Sequence, residues 1–165
     1  MLTIRTASIN DLKEITEIYN EAILKTVATF DTEEKSIGEQ KKWFKEHRPK
    51  NPIIVAEENG KILSWAALSK YSTRCAYSDT FEISLYVKNE YQDKGIGKKL
   101  MERIIEEGEK AGIHVVLARI TQGNEKSIYL HKSVGFEHVG IMKEVGLKFG
   151  KRLDVYLMQK IYKNK

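Results

Sequence analysis

The chain has 165 residues, 41% of them apolar and 31% charged, and a net charge of +5. That length predicts a single domain, 1–165, able to bury roughly 70% of its unfolded surface, and no apolar run approaches the roughly 20 residues of a membrane span. Cys75 is the only cysteine, which excludes an intrachain disulfide and a cysteine-based metal site, and no metal is expected.

Leu2–Thr6 is predicted as a short strand, with Asn10 capping a helix from Asp11 to about Thr26 whose apolar stripe is Leu12, Ile15, Ile18, Tyr19, Ala22 and Ile23. Val27–Glu34 reads as a loop. Ser36 and Glu39 form a capping box for a second helix to about Arg48, closed by Pro49 and Pro52. Ile53–Glu57 and Ile62–Ser69 flank Asn59 and Gly60, a hairpin signal. Lys70–Asp79 is a polar loop.

From Phe81 to Leu100 the sequence reads as strand, glycine turn and helix start. Phe81, Ile83, Leu85 and Val87 alternate with Glu82, Ser84 and Tyr86; Gln92, Gly95 and Gly97 make a Q-x-x-G-x-G turn; and Leu100, Met101, Ile104, Ile105 and Gly108 recur at helical spacing. Two glycines at a helix N-terminus let unpaired backbone N–H groups converge on an anion such as phosphate. Lys94, Lys98 and Lys99 add positive charge. The turn is neither the dinucleotide fingerprint, which needs glycine where Leu100 stands, nor the ATP-binding loop, which needs glycine at Gln92 and Ser or Thr at Lys99.

Gly112 ends that helix, and the Val115–Ala118 run within His114–Ile120 suggests a buried strand parallel to Phe81–Val87. Asn124 caps a helix to about Val134, ended by Gly135. The last two strands are predicted near Glu137–Val145 and Asp154–Ile161, joined through Phe149, Gly150 and Lys151. The order gives a mixed α/β sheet with helices on both faces.

Glu82 is the candidate for chemistry. Glutamate is depleted in strands, and its neighbours suggest burial on both faces, so its charge must be paired or used. It lies about 16 Å along the strand from the strand end, a span comparable to the arm of coenzyme A between phosphates and thiol. His131, Asn124 and Ser127 share one side of the following helix; each is also readable as a core or capping residue. Arg74, beside Ala76 and Tyr77, could hold a carboxylate with its fork, and is equally readable as a solvated loop arginine. Cys75 has no helix N-terminus or histidine to activate it. Phe30 lies in a loop and could line a pocket. The spread lysines point to a solvated basic surface rather than a nucleic-acid partner. The N-terminus MLTIRTASINDL has no apolar signal core, so a cytoplasmic protein without membrane partner is expected.

The Q-x-x-G-x-G turn after a strand, Asn124 after the next strand, and Leu130, His131, Gly135 and Phe136 together resemble the GCN5-related N-acetyltransferase (GNAT) family over nearly the whole chain. The segments VATF (27–30), RCAY (74–77), EISLYV (82–87), SIYLHKSVGF (127–136) and EVGLKFGKRLDVYLMQ (144–159) resemble its phosphinothricin N-acetyltransferase subgroup. The resemblance implies a mixed, mostly antiparallel sheet of about seven strands flanked by about four helices, with a central parallel pair. It implies acetyl-CoA as cosubstrate, a small amino acid or analogue as acceptor, and a homodimer. Leu85, Tyr86 and Val87 would hold the pantetheine arm. Gln92, Lys94, Gly95, Ile96, Gly97 and Lys98 would cradle the pyrophosphate, and Asn124 and Ser127 would contact the coenzyme. Phe30, Arg74 and Tyr77 would bind the acceptor, with Glu82 as the base. Many family members carry tyrosine where His131 stands, which leaves the general acid open. A protein N-terminus or polyamine acceptor, and a regulatory module that binds acetyl-CoA without catalysis, are the alternative readings.

Overall fold

The computed structural model describes residues 1–47 and 51–163; Arg48 and Pro49, expected to end the second helix, lie outside the described residues. Seven strands form one sheet: β1 (Thr3–Thr6), β2 (Ile53–Glu58), β3 (Lys61–Lys70), β4 (Thr80–Val87), β5 (Val115–Thr121), β6 (Glu137–Lys148) and β7 (Lys151–Ile161). Their spatial order is β1-β2-β3-β4-β5-β7-β6. All neighbours are antiparallel except β4 and β5. The four helices are α1 (Leu12–Lys25), α2 (Ile37–Glu46), α3 (Ile96–Lys110) and α4 (Glu125–Ser133).

The period-two pattern of the strands divides the core. Ile54, Ala56, Ala66, Leu68, Phe81, Ile83, Val116 and Ala118 join the buried stripe Leu100, Met101, Ile104 and Ile105 of α3 on one face. Ile53, Val55, Trp65 and Ala67 pack under Leu12, Ile15 and Ile18 of α1 and Phe44 of α2 on the other. Each sheet face thus buries one row of alternate residues, and this accounts for most of the apolar positions of β2 and β3.

The Ser36–Glu39 capping box forms as expected, with Ser36 Oγ accepting from the Glu39 N–H at 3.2 Å and the Glu39 carboxylate accepting from the Ser36 N–H at 2.8 Å. The β2–β3 hairpin turns at Asn59 and Gly60, both at positive φ. Three expectations change. Asn10 does not cap α1. A 3-10 turn at Ile9–Asp11 precedes it, because Asp11 accepts from the Ser8 N–H at 2.7 Å while the Arg5 guanidinium grips its two oxygens at 2.8 Å each. That pairing holds the Asp11 carboxyl below its ordinary pKa. The last hairpin is longer than predicted, turning at Phe149 and Gly150 alone. Its register slips between Met142 and Gly146, where Asp154 accepts from the Glu144 N–H at 2.7 Å and the Lys143 ammonium at 3.2 Å. Finally, β4 is not buried on both faces: beyond Ile83 its residues are only half-buried.

Candidate active site

The reason for that exposure is a fork in the sheet. Strands β4 and β5 pair only through Thr80–Val115, Phe81–Val116 and Glu82–Leu117. Past Glu82, β4 continues on β3 and β5 continues on β7, so their facing edges part. Backbone N–H and C=O groups on such edges need partners, and an extended ligand can supply them as an added strand would. The gap is a groove of about 550 Å³. Ile83 to Val87 line one wall and Ala118 to Thr121 the other, while Gln92, Gly95, Gly97 and Lys98 stand at one end and Asn124, Ser127 and His131 of α4 close the side. The predicted donor residues Leu85, Tyr86 and Val87 are therefore brought together with the turn and α4. Lys94 and Ile96 belong to that turn but not to the groove lining, Ile96 being buried in the core.

At the turn, Gly95 has φ +77° and caps α3, a left-handed conformation that a Cβ disfavours. The first turn of α3 carries no acidic residue, so its free N–H groups and the helix dipole present a positive end to the groove. Gln92 donates to Asn89 Oδ1 at 3.0 Å, and the Lys94 ammonium stands 4.8 Å from the Tyr91 ring centre. The sequence reading missed Asp93, whose carboxylate accepts from the Lys126 ammonium at 2.7 and 2.8 Å and so ties the turn to α4.

Asn124 caps α4 as expected, its Oδ1 accepting from the Ser127 N–H at 3.3 Å. His131 is buried against Phe136, with ring centres 5.0 Å apart. Its Nδ1 lies 2.7 Å from the Ser127 carbonyl, which can only accept, so Nδ1 carries the proton and Nε2 has a free lone pair in the neutral ring. Burial holds the imidazole below its ordinary pKa.

Glu82 sits where β4 and β5 part. Its side chain is 22% exposed, and Arg119 of β5 grips it with a two-pronged fork: Nε to Oε2 at 2.7 Å and Nη2 to Oε1 at 2.8 Å. The pairing raises the Arg119 pKa further. Arg119 was not foreseen, though an arginine inside the apolar run of β5 is a signal that an acidic partner lies on a neighbouring strand. Two of the four acceptor positions on the carboxylate remain for a water or an amine.

The loop between α1 and α2 faces the end of β6. Phe30 packs against Gly146, where a Cβ would stand only 2.2 Å from the phenyl ring. The buried Lys148 ammonium donates to the Thr29 carbonyl at 2.7 Å, and its burial lowers its pKa. Thr121 bonds the Val27 carbonyl, and Tyr19 bonds Thr29 and Asp31. Arg74 and Tyr77 sit on an exposed 3-10 turn outside the groove lining, as does Cys75. Tyr77 stacks edge-on with Tyr71, their ring centres 5.2 Å apart.

A family model described as an acetyltransferase (GNAT) domain matches residues 4–157. An L-methionine sulfoximine/L-methionine sulfone acetyltransferase from Salmonella typhimurium is 38% identical over 96% of this chain and 93% of its own. A phosphinothricin N-acetyltransferase from Streptomyces coelicolor is 36% identical over 88% and 87%. Among solved structures, an acetyltransferase from Salmonella typhimurium with its cofactor acetyl-CoA superposes with a TM-score of 0.97 at 36% identity, covering 100% of this chain and 96% of that one.

Proposed function

Since the chain belongs to the GNAT acetyltransferase family, we propose that it moves the acetyl group of acetyl-CoA to the α-amino group of a small amino acid of the methionine sulfone, methionine sulfoximine or phosphinothricin kind. The carrying observation is the parting of β4 and β5 with Glu82 at its apex. The groove fits the donor: the α3 N-terminus suits the pyrophosphate, and the edge of β4 at Leu85 and Val87, turned away from β3, suits the amide-bearing arm. We assign Phe30, Arg74 and Tyr77 to acceptor binding.

An α-amine with a pKa near 7.8 is mostly protonated at neutral pH, so it must lose a proton before attack. Glu82 takes that proton, directly or through one water, while Arg119 holds its carboxylate in place. Backbone N–H groups on the open edge near Leu85 polarise the thioester carbonyl. Attack gives a tetrahedral intermediate, and its collapse breaks the C–S bond. His131 takes the second proton of the attacking amine at Nε2 and passes it to the leaving thiolate, which suits a ring kept neutral at rest by burial.

We also place the enzyme in the cytoplasm and assign a homodimer. Strand β6 is the sheet edge, and Val139, Ile141, Val145 and Leu147 of that strand are exposed, an apolar row that a second copy would cover. Purified protein incubated with acetyl-CoA and a panel of amino acids should release free thiol with methionine sulfone; thiol release with polyamines or peptides alone would overturn the acceptor assignment. Light scattering should give twice the chain mass.

A further inference from the structure

His47 closes helix α2 and is buried, its ring centred 4.5 Å from that of Trp43. Its Nδ1 lies 2.6 Å from the Trp43 carbonyl, which can only accept, so the proton of the neutral ring sits on Nδ1. Nε2 then carries a bare lone pair. Ser69 Oγ stands 2.7 Å from it and must be the donor. The single proton of the Ser69 hydroxyl is thereby committed to His47, and Ser69 offers its other neighbours lone pairs alone.

Glu82 is one of those neighbours. Ser69 is its partner in the β3–β4 ladder, so the two side chains leave the same face of the sheet with Cβ atoms roughly 5 Å apart. It is the face on which Trp65 and Ala67 pack under α1 and α2. A serine hydroxyl beside a carboxylate ordinarily donates to it in a charge-assisted hydrogen bond, which stabilises the charged form and weakens it as a base. Arg119 already holds one position on each Glu82 oxygen. A further donor would take part of what is left for a substrate.

We propose that His47 is a positioning residue for the base step: by taking the Ser69 hydroxyl proton it keeps that proton off Glu82 and turns Ser69 Oγ into a second acceptor beside the carboxylate. The proposal rests on the reading of Glu82 as the base. The acceptor's ammonium then meets two acceptors side by side and donates one N–H to each. When Glu82 removes its proton, the N–H bond breaks, an O–H bond forms on the carboxylate, and the electron pair left on nitrogen becomes the nucleophile. The arrangement requires a neutral His47. Burial outweighs the pull of the Glu46 carboxylate and holds the ring below its ordinary pKa. Glu107 and Lys110 of α3, which line a cavity with His47, are paired with each other at 3.2 Å. Two ionisable groups act on Glu82: Arg119 of β5, and Tyr86 of β4, whose phenol is pushed up to about 12 by burial and so stays neutral.

His47→Leu removes the acceptor and frees the Ser69 proton. The Glu82 carboxyl titration, followed by 13C NMR of glutamate-labelled protein, should then move down by about one pH unit, and adding Ser69→Ala to His47→Leu should bring it back. Ser69→Ala alone should not lower it, and a rise of about one pH unit there would show that Ser69 donates to Glu82 in wild type, which overturns the proposal even where His47→Leu fails to fold. In turnover, kcat for methionine sulfone should fall about tenfold in His47→Leu with KM for acetyl-CoA unchanged, and the double variant should recover part of that loss. His47→Gln, whose amide oxygen can accept in place of Nε2, should keep most of kcat. The proposal is also overturned if the Glu82 titration is the same in wild type and His47→Leu, or if Ser69→Ala deepens the loss that His47→Leu causes. A shifted titration with kcat unchanged would keep the Ser69–His47 arrangement and sink Glu82 as the base instead.

Discussion

The two faces of β4 are built by different means. On the donor side the recognising groups belong to the main chain: an open strand edge and the first N–H groups of α3, arranged by one turn within a few residues. On the face proposed for the acceptor they are side chains from α1, α2, β3, β4, β5 and β6, held by contacts between distant segments. On the proposed assignment the donor is recognised through backbone geometry that many sequences could provide, while acceptor choice rests on individual side chains. Substitutions on the acceptor side should change selectivity, and those on the donor side should matter only where they move the backbone.

The largest effect should come at the apex that both sides share. Glu82→Gln keeps the side-chain shape and removes the base, so kcat should fall roughly 10²- to 10⁴-fold with little change in KM for acetyl-CoA. A steady-state assay showing full turnover would remove Glu82 from the chemistry. Gly146→Val comes next. Its side chain would enter the space of Phe30, an overpacking that costs about 1–3 kcal/mol if the loop holds and displaces Phe30 if it yields. Either way, kcat/KM for the acceptor should drop about tenfold while KM for acetyl-CoA stays put. Equal damage to both constants would mean that the two sides are not separable.

This division also governs what could be read from the sequence. The groove's parts were legible because each is local: the glycine turn, the Asn124 cap and the alternation of β4 all lie within ten residues of what they organise. The Ser36–Glu39 box and the Asn59–Gly60 hairpin were legible for the same reason. Glu82 was legible as an anomaly, but its partner Arg119 lies 37 residues on. Lys148 and the Thr29 carbonyl are 119 residues apart, and no periodicity predicts that a lysine next to Phe149 will be buried. Gln40 reads as an ordinary polar residue of an amphipathic helix until the fold turns it inward. The misplaced burial of β4 has the same root: a parallel neighbour could be inferred, but not that the pair would separate after three residues.

Gly95→Ala tests the donor side on its own terms. Holding alanine at φ +77° costs roughly 1–2 kcal/mol, so the start of α3 should shift or fray. KM for acetyl-CoA should rise severalfold, with the ratio of kcat/KM between two acceptors unchanged. A change in that ratio would break the comparison, because it would show backbone geometry at the turn reaching the acceptor side.

The smallest expected effect uses two buried histidines, one on each side of the sheet. His131 lies beside the donor groove. His47 follows α2, with Nδ1 2.6 Å from the Trp43 carbonyl and Nε2 2.7 Å from Ser69 Oγ. Burial lowers both pKa values, so in acid the unfolded chain takes up protons that the folded chain refuses. The folded state thus loses stability as pH falls below about 6.5, the unperturbed histidine value. Asp11, whose carboxyl is also held low, adds its own loss only below its ordinary carboxylate range. The melting temperature should therefore fall between pH 7.5 and 5.5, and His47→Gln should remove part of that fall. If the acceptor half loosens first, tryptophan fluorescence will report the acid transition before KM for acetyl-CoA changes, because Trp43 and Trp65 both lie on the His47 side. A melting temperature flat across that interval would show that neither histidine is held neutral by the fold, and would remove the physical basis for His131 as the group that receives a proton at Nε2.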